Sequence, residues 1–150
     1  MSSDTRWQLR QATEQDFPAI KRLIRRVRIN PWSLDWRRFV VAVDGDDQLV
    51  GCGQLKPHGR SVIELASIAV EETHRGQGIA RLIIETLLAR APRPVYLTAR
   101  SGLRSLYSKW GFEEVKPEDM PAYYLRLSRA MSLLQPFFGD GEYLLVMVLK

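Results

Sequence analysis

Cysteine and histidine are scarce in this chain of 150 residues, which has one cysteine, Cys52, and two histidines, His58 and His74. A lone cysteine excludes an internal disulfide, and so few Cys and His ligands argue against a transition-metal site. No apolar run approaches the ~20 residues that would span a bilayer, and the first six residues lack the pattern of a secretory signal. We therefore expect a cytoplasmic protein with no metal ligands and no membrane partner.

The composition is that of a folded globular protein. It is 45% hydrophobic and 26% charged, and the length suits one domain, which we expect to cover residues 1–150. The formal net charge is +5, and 17 of the 22 basic residues are arginine. Because the planar guanidinium suits the geometry of phosphate and carboxylate groups, this bias favours an anionic ligand.

Hydrophobic periodicity predicts strands and helices in alternation. A capping pattern at Thr13 and Asp16 predicts a first helix that Asn30-Pro31 ends. A hairpin with its turn at Asp44–Asp47 follows this helix in the chain. Gly51 and Gly53 lie in the second strand of the hairpin and would let another group approach the backbone. The predicted strands are 7–10, 39–43, 48–55, 61–70, 95–98, 112–115 and 142–149. The later predicted helices are 79–91, 102–109 and 121–134. This order predicts a mixed α/β or α+β sheet domain.

A glycine-rich loop joins the strand that ends at Val70 to the helix that follows. Its residues are Arg75, Gly76, Gln77, Gly78, Ile79 and Ala80. The loop does not match a dinucleotide-binding fingerprint, because its glycine spacing differs and the next strand ends at Leu97-Thr98 without an acidic residue. It does not match a Walker loop either, because no Gly-Lys-Ser/Thr follows. An arginine, two glycines and a helix N-terminus remain, which together suit a pyrophosphate.

These residues resemble the Arg/Gln-x-x-Gly-x-Gly/Ala signature of the GNAT superfamily of acetyl-CoA-dependent N-acetyltransferases. A second block, Leu106-Tyr107-Ser108-Lys109-Trp110-Gly111-Phe112, is similar to the family's Tyr-x-x-x-Gly-Phe block about thirty residues after the loop. The resemblance implies a GNAT fold: a mixed, mostly antiparallel sheet of six to seven strands, splayed at the cofactor slot and flanked by about four helices.

The resemblance also implies a cofactor, acetyl-CoA, and roles for particular residues. The amides from Arg75 to Ala80 would bind its pyrophosphate, and the strand segment Ile68, Ala69 and Val70 would pair with its pantetheine arm. Glu64 would serve as the base that deprotonates an acceptor amine. Tyr107 would protonate the departing thiolate, which requires a neutral phenol. The expected reaction is direct attack of a primary amine on the thioester.

The chain departs from the family pattern seven residues before the tyrosine. The family often has an asparagine there that contacts the cofactor arm, whereas this chain has Arg100. Arg100 or Arg104 would then meet a cofactor phosphate or an acidic acceptor. Simpler roles also stay open, since Glu64 would equally suit an exposed strand position and Tyr107 a core position.

The acceptor is predicted from charge alone. Five arginines lie near the expected acceptor side, which favours a small amine that carries a carboxylate, such as an amino acid. We expect Arg26 and Arg37 to bind it; the other three are Arg22, Arg25 and Arg38. Acetylation of a protein N-terminus or lysine is the alternative within the family.

A third class of function is a module that binds acetyl-CoA or nucleic acid without catalysis. The absence of helix-turn-helix, RNA-recognition and zinc motifs argues against nucleic acid. The sequence leaves a homodimer open.

Overall fold

The computed structural model describes the backbone of residues 7–132 and 141–150. Seven strands and four helices form in this part of the chain, with short 3-10 turns between them. The strands are β1 (Trp7–Gln11), β2 (Phe39–Asp44), β3 (Leu49–His58), β4 (Val62–Val70), β5 (Val95–Arg100), β6 (Glu113–Glu114) and β7 (Leu144–Leu149). The helices are α1 (Phe17–Arg26), α2 (Ile79–Arg90), α3 (Arg104–Ser108) and α4 (Ala122–Ser132).

The strands form one sheet in the order β1-β2-β3-β4-β5-β7-β6. Four neighbouring pairs, β1 with β2, β2 with β3, β5 with β7 and β6 with β7, are antiparallel. The pairing of β4 with β5 is parallel and joins Ile63 to Val95 and Glu64 to Tyr96. The mixed, mostly antiparallel sheet with about four helices is therefore confirmed, and the splay at a cofactor slot stays a prediction.

The described chain divides into two compact units. The first unit comprises residues up to Lys56 together with Leu65–Ala91, and the second comprises Pro57–Glu64 together with the described residues from Pro92 onward. The single domain over residues 1–150 stays a prediction. No helix among the described residues is both long and apolar enough to cross a membrane.

Helix α1 covers one face of the first unit's strands and ends earlier than predicted. At its start the Thr13 amide donates to the Asp16 carboxylate at 2.7 Å, as the capping pattern indicates. At its end Arg28 adopts a left-handed conformation with φ +59°, and the Ile29 amide bonds back to the Ile24 carbonyl at 3.3 Å. Amides after the helix thus donate to the carbonyls of Leu23, Ile24 and Arg25, so α1 ends at Arg26, before Asn30-Pro31.

The two glycines of β3 admit helix α2 rather than a ligand. A Cβ at Gly53 would lie 2.6 Å from side-chain atoms of both Ile68 and Ile83. A Cβ at Gly51 would lie 2.8 Å from Ile79. The predicted close approach to this strand is therefore real, and the group that approaches is the apolar face of α2, because bare glycine backbone lets the helix pack closer.

The core of the second unit is built on α4. Tyr124 is fully buried and packs with Val62, Val146 and Val148.

Strand β6 is shorter than the predicted 112–115, because only Glu113 and Glu114 pair with β7. The predicted 102–109 helix forms as a 3-10 turn at residues 101–103 followed by α3. The predicted helix 121–134 is observed to Ser132, and residues 133 and 134 lie outside the described residues.

Candidate active site

The glycine loop, Arg75–Gly78, lies between β4 and α2 in the first unit. Gly76 and Gly78 have φ of +79° and +83°, a left-handed conformation that costs other residues about 1–2 kcal/mol. Apart from the neighbouring residues in the chain, no atom of the described residues lies within 4 Å of the position a Cβ would take at either glycine. The loop thus presents exposed backbone and open space directly before the first turn of α2. Amides at a helix N-terminus carry partial positive charge and bind anions.

Ion pairing and hydrogen bonds hold the start of this loop. Arg26 of α1 donates to the Glu71 carboxylate at 2.6 Å, and the Glu71 amide donates to the Val50 carbonyl at 2.8 Å. The Arg75 side chain donates to the Val70 carbonyl at 3.3 Å. Arg26, which was expected to bind the acceptor, therefore contacts the segment that carries the loop.

The segment Ile68–Val70, expected to pair with the pantetheine arm, follows an irregularity in β4. Ser67 has φ +59°, a left-handed conformation within a strand. Its hydroxyl accepts a hydrogen bond from the amide of the fully buried Gln54 at 2.8 Å. A residue of this kind changes the local twist and the direction of the strand, and such irregularities are common beside binding sites.

The carboxylate of Glu64 lies at the centre of a polar cluster in the second unit. Glu64 is 7% exposed, so it is not the solvent-facing strand residue of the simpler interpretation. One oxygen lies 3.0 Å from His58 Nε2, and the other accepts a hydrogen bond from the Tyr124 hydroxyl at 3.0 Å. Burial and the neighbouring Glu64 charge raise the pKa of Tyr124, so its phenol stays protonated and donates.

His58 lies between this carboxylate and an open cavity. Its ring stacks on Tyr123 with centroids 3.8 Å apart and planes at 16°. The cavity has a volume of about 460 Å³, and its walls include His58, Tyr123, Ser61 and Arg126. That volume is within the range of small-molecule sites, which is roughly 300–1,000 Å³.

Tyr107 of α3 is half-buried beside two other aromatic rings, Trp110 and Phe112, each with its centroid 6.1 Å away. Burial raises the pKa of its phenol above the usual value of 10.0. The group is therefore neutral at physiological pH, which is the state that a proton donor to a thiolate requires.

The remaining predicted site arginines all lie beside acidic groups of the chain. Arg37 Nη1 lies 3.5 Å from Asp35, and Arg100 Nη1 lies 3.9 Å from Glu142. Arg104 donates to Glu114 at 3.0 Å and to the Tyr143 hydroxyl at 2.7 Å. Their expected roles toward cofactor or acceptor stay predictions.

Sequence reasoning missed four residues around Glu64. They are His58, which lies between two predicted strands, Tyr124, which lies in a predicted helix, and Tyr123 and Arg126, which match no motif. The contacts join residues up to 60 positions apart, so no local pattern could have indicated them. No group of three or more His, Cys, Asp or Glu residues suited to a metal ion occurs among the described residues.

Known structures share this fold over nearly the whole chain. N-acetylglutamate synthase from Neisseria gonorrhoeae, solved with coenzyme A and N-acetyl-glutamate, aligns with 96% of this chain at a TM-score of 0.71 and 18% identity. Rv2747 from Mycobacterium tuberculosis, solved with CoA, aligns with 95% at a TM-score of 0.71 and 24% identity, over 99% of its own length. Arabidopsis thaliana Naa50, in complex with the bisubstrate analogue CoA-Ac-MVNAL, aligns with 97% of this chain and 99% of its own at a TM-score of 0.65 and 14% identity.

Sequence comparison points the same way. The chain is 29% identical to the rat (Rattus norvegicus) N-acetyltransferase 8F1 in an alignment of 89 residues that covers 54% of this chain. The match spans 40% of that relative, and the chain covers 35% of the Neisseria enzyme. A family model described as an acetyltransferase (GNAT) domain matches residues 35–114, more than half of the chain and all of β2 to α3. This protein therefore belongs to the GNAT acetyltransferase family.

Proposed function

We propose that this chain transfers an acetyl group from acetyl-CoA to a primary amine by direct attack. The observation that carries the proposal is the glycine loop, with two open left-handed glycines before α2, inside the region that matches the family model. When bound, acetyl-CoA supplies an acetyl thioester, which an unprotonated amine attacks. The function of the chain's own residues is then to hold the cofactor and to move protons.

The glycine loop fits the pyrophosphate part of this cofactor. Gly76 and Gly78 leave the space that side chains would fill, and the amides from Arg75 to Ala80 lie at the positive end of α2. We assign Ile68–Val70 to the pantetheine arm, as the family resemblance implies. Arg26 supports this site indirectly, because its partner Glu71 precedes the loop.

We propose that the carboxylate of Glu64 promotes deprotonation of the acceptor amine. An amine reaches the site as an ammonium ion and must lose a proton before it attacks. A buried carboxylate with a histidine on one oxygen and a tyrosine on the other is held in one orientation, as general-base catalysis requires. The sequence leaves open whether the proton reaches Glu64 directly or through a water.

Titration of acetyl-CoA into the purified chain by calorimetry tests the proposal. Micromolar binding followed by turnover with any primary amine would support it. A chain that binds acetyl-CoA but acetylates no amine would be a binding module instead. A chain that binds no acetyl-CoA would overturn the proposal and leave only the fold.

Tyr107 is the proposed acid. We expect Tyr107→Phe to lower kcat by ~10²-fold, at the low end of the range for such groups, because a thiol is acidic enough for its thiolate to leave without full protonation. Since burial raises the pKa of Tyr107, the native rate should fall from loss of this proton only above pH 10.0. Measurement of kcat from pH 7 to pH 10 should therefore show no loss of the native rate through this group, and Tyr107→Phe should lower kcat by the same factor across that range.

The acceptor that we propose is a small amine with a carboxylate, such as an amino acid. The basic composition of the chain supports this choice, and a neighbour in fold was solved with N-acetyl-glutamate. Another neighbour carries a peptide-derived bisubstrate analogue, so a protein N-terminus is the competing acceptor. Initial rates on acidic amino acids, polyamines and short peptides separate these cases, and faster turnover of polyamines would exclude our choice.

A further inference from the structure

The cavity beside His58 has three properties of an acceptor site. Its volume of about 460 Å³ accommodates an amino acid, its wall includes an exposed arginine, and it reaches the buried Glu64 through one side chain. We propose that this cavity binds a carboxylate-bearing amine, that His58 takes the proton from the amine, and that Arg126 binds the carboxylate. This inference rests on the proposed acetyl transfer and names the acceptor side of it.

The geometry around Glu64 favours His58 as the group that meets the amine. Both oxygens of Glu64 are already hydrogen-bonded, and the residue is 7% exposed. With Glu64 ionised, the proton of His58 belongs on Nε2, which leaves the lone pair on Nδ1 free to accept another proton. Stacking on Tyr123 holds the imidazole plane. Glu64 then acts as a positioning residue that stabilises the imidazolium ion.

Acetyl transfer removes two protons from the acceptor nitrogen. The acceptor ammonium gives one proton to His58 Nδ1, which passes it to solvent, and the nitrogen lone pair forms the bond to the acetyl carbon. The carbon–sulfur bond breaks, and its electron pair leaves with sulfur. Sulfur takes a proton from Tyr107, and the second proton of the amine restores that phenol.

Arg126 differs from the arginines first expected to bind the acceptor. Arg26 and Arg37 each lie beside a carboxylate of the chain, at 2.6 Å and 3.5 Å. Arg126 projects from α4 at the cavity wall, and within residues 7–130 and 141–150 no carboxylate pairs with it. A guanidinium left unpaired by the carboxylates of those described residues is suited to bind a ligand carboxylate through two parallel hydrogen bonds.

Kinetics with matched acceptors test the role of Arg126. L-glutamate and its dimethyl ester carry the same amine with and without carboxylates. For Arg126→Gln we expect kcat/KM on L-glutamate to fall ~10- to 100-fold through KM, with the rate on the ester changed less than about twofold. Lys116→Gln removes one charge from an exposed position of the same unit and is the control, for which both rates should stay near native. An unchanged ratio of the two acceptors in Arg126→Gln would overturn the assignment.

A conservative variant tests the role of His58. For His58→Gln we expect kcat to fall at least ~10²-fold with acetyl-CoA binding unchanged, because glutamine keeps a polar group beside Glu64 but has no nitrogen that takes a proton. The KM for the acceptor should change far less than kcat, since the proposed contact to the carboxylate remains. A near-native kcat in a variant that binds acetyl-CoA would overturn the role.

The two proposals fail in different ways. Absence of acetyl-CoA binding by the native chain would overturn both. Native binding and turnover, with the acceptor ratio unmoved in Arg126→Gln, would overturn this inference alone and leave the acetyl transfer standing. Because Arg126 is exposed, Arg126→Gln should fold. The comparison of the two acceptors in this variant therefore tests the inference even if a His58 variant does not fold.

Discussion

Replacement of Glu64 by glutamine is expected to lower kcat by ~10³- to 10⁴-fold and to leave acetyl-CoA binding intact. The amide keeps the shape of the carboxylate, and its oxygen still accepts the hydrogen bond from Tyr124. Its nitrogen, however, donates to His58 Nε2 and so favours the tautomer that carries the proton on Nδ1. Loss of the negative charge also removes the stabilisation of an imidazolium ion.

The measurement is single-turnover rate together with calorimetric binding of acetyl-CoA. Glu118→Gln is the matched control, since it makes the same chemical change at an exposed position of the second unit and should keep the native rate. A Glu64→Gln chain that folds and turns over at more than half the native rate would show that this carboxylate has no part in proton transfer.

Replacement of Gly78 by glutamate is expected to weaken acetyl-CoA binding by at least ~100-fold. The new carboxylate would lie at the start of α2, where the open space beside the loop is assigned to pyrophosphate. Like charges ~4 Å apart repel by about 4 kcal/mol near a protein surface, which corresponds to nearly three decades in Kd. The folded chain itself gains from an acid at a helix N-terminus, so the loss should be specific to the ligand.

Gly78→Gln separates charge from strain in this experiment. Both variants place a side chain of similar size at φ +83°, and both bear the same left-handed cost of about 1–2 kcal/mol. We expect the glutamine variant to bind acetyl-CoA more tightly than the glutamate variant, with a difference that shrinks as salt is added. Equal affinities for the native chain and both variants would place the pyrophosphate elsewhere.

Most strands and helices, and the glycine loop, followed from local pattern. A β-branched run, the turn at Asp44–Asp47 and a second strand indicated the β2–β3 hairpin. A strand, two glycines and a helical period indicated the loop before Ile79. The end of α1 was not predictable in this way, because the left-handed conformation of Arg28 ends the helix before it reaches Asn30-Pro31. Gly51 and Gly53 signalled a close approach correctly, but a sequence does not say whether the approaching group is a ligand or a helix.

The cluster around Glu64 could not be predicted for a different reason. Its members come from the end of β3, the first residues of β4 and the first turn of α4, and each has an ordinary local interpretation. Tyr124 has the helical spacing of a core residue and is indeed buried, yet its hydroxyl also binds Glu64. Such a role depends on tertiary contacts, which hydrophobic period does not encode.

The single thiol of the chain reports on local opening of the first unit. Cys52 is fully buried, its Sγ lies 3.5 Å from the Ser67 carbonyl, and burial raises its pKa to about 12. In the closed state it is therefore inert to alkylating reagents, which attack thiolates. Alkylation requires β3 to open from its neighbours, so the labelling rate measures the free energy of that opening. The strand beside the proposed cofactor segment thus carries a natural probe of local stability, which needs no engineered label.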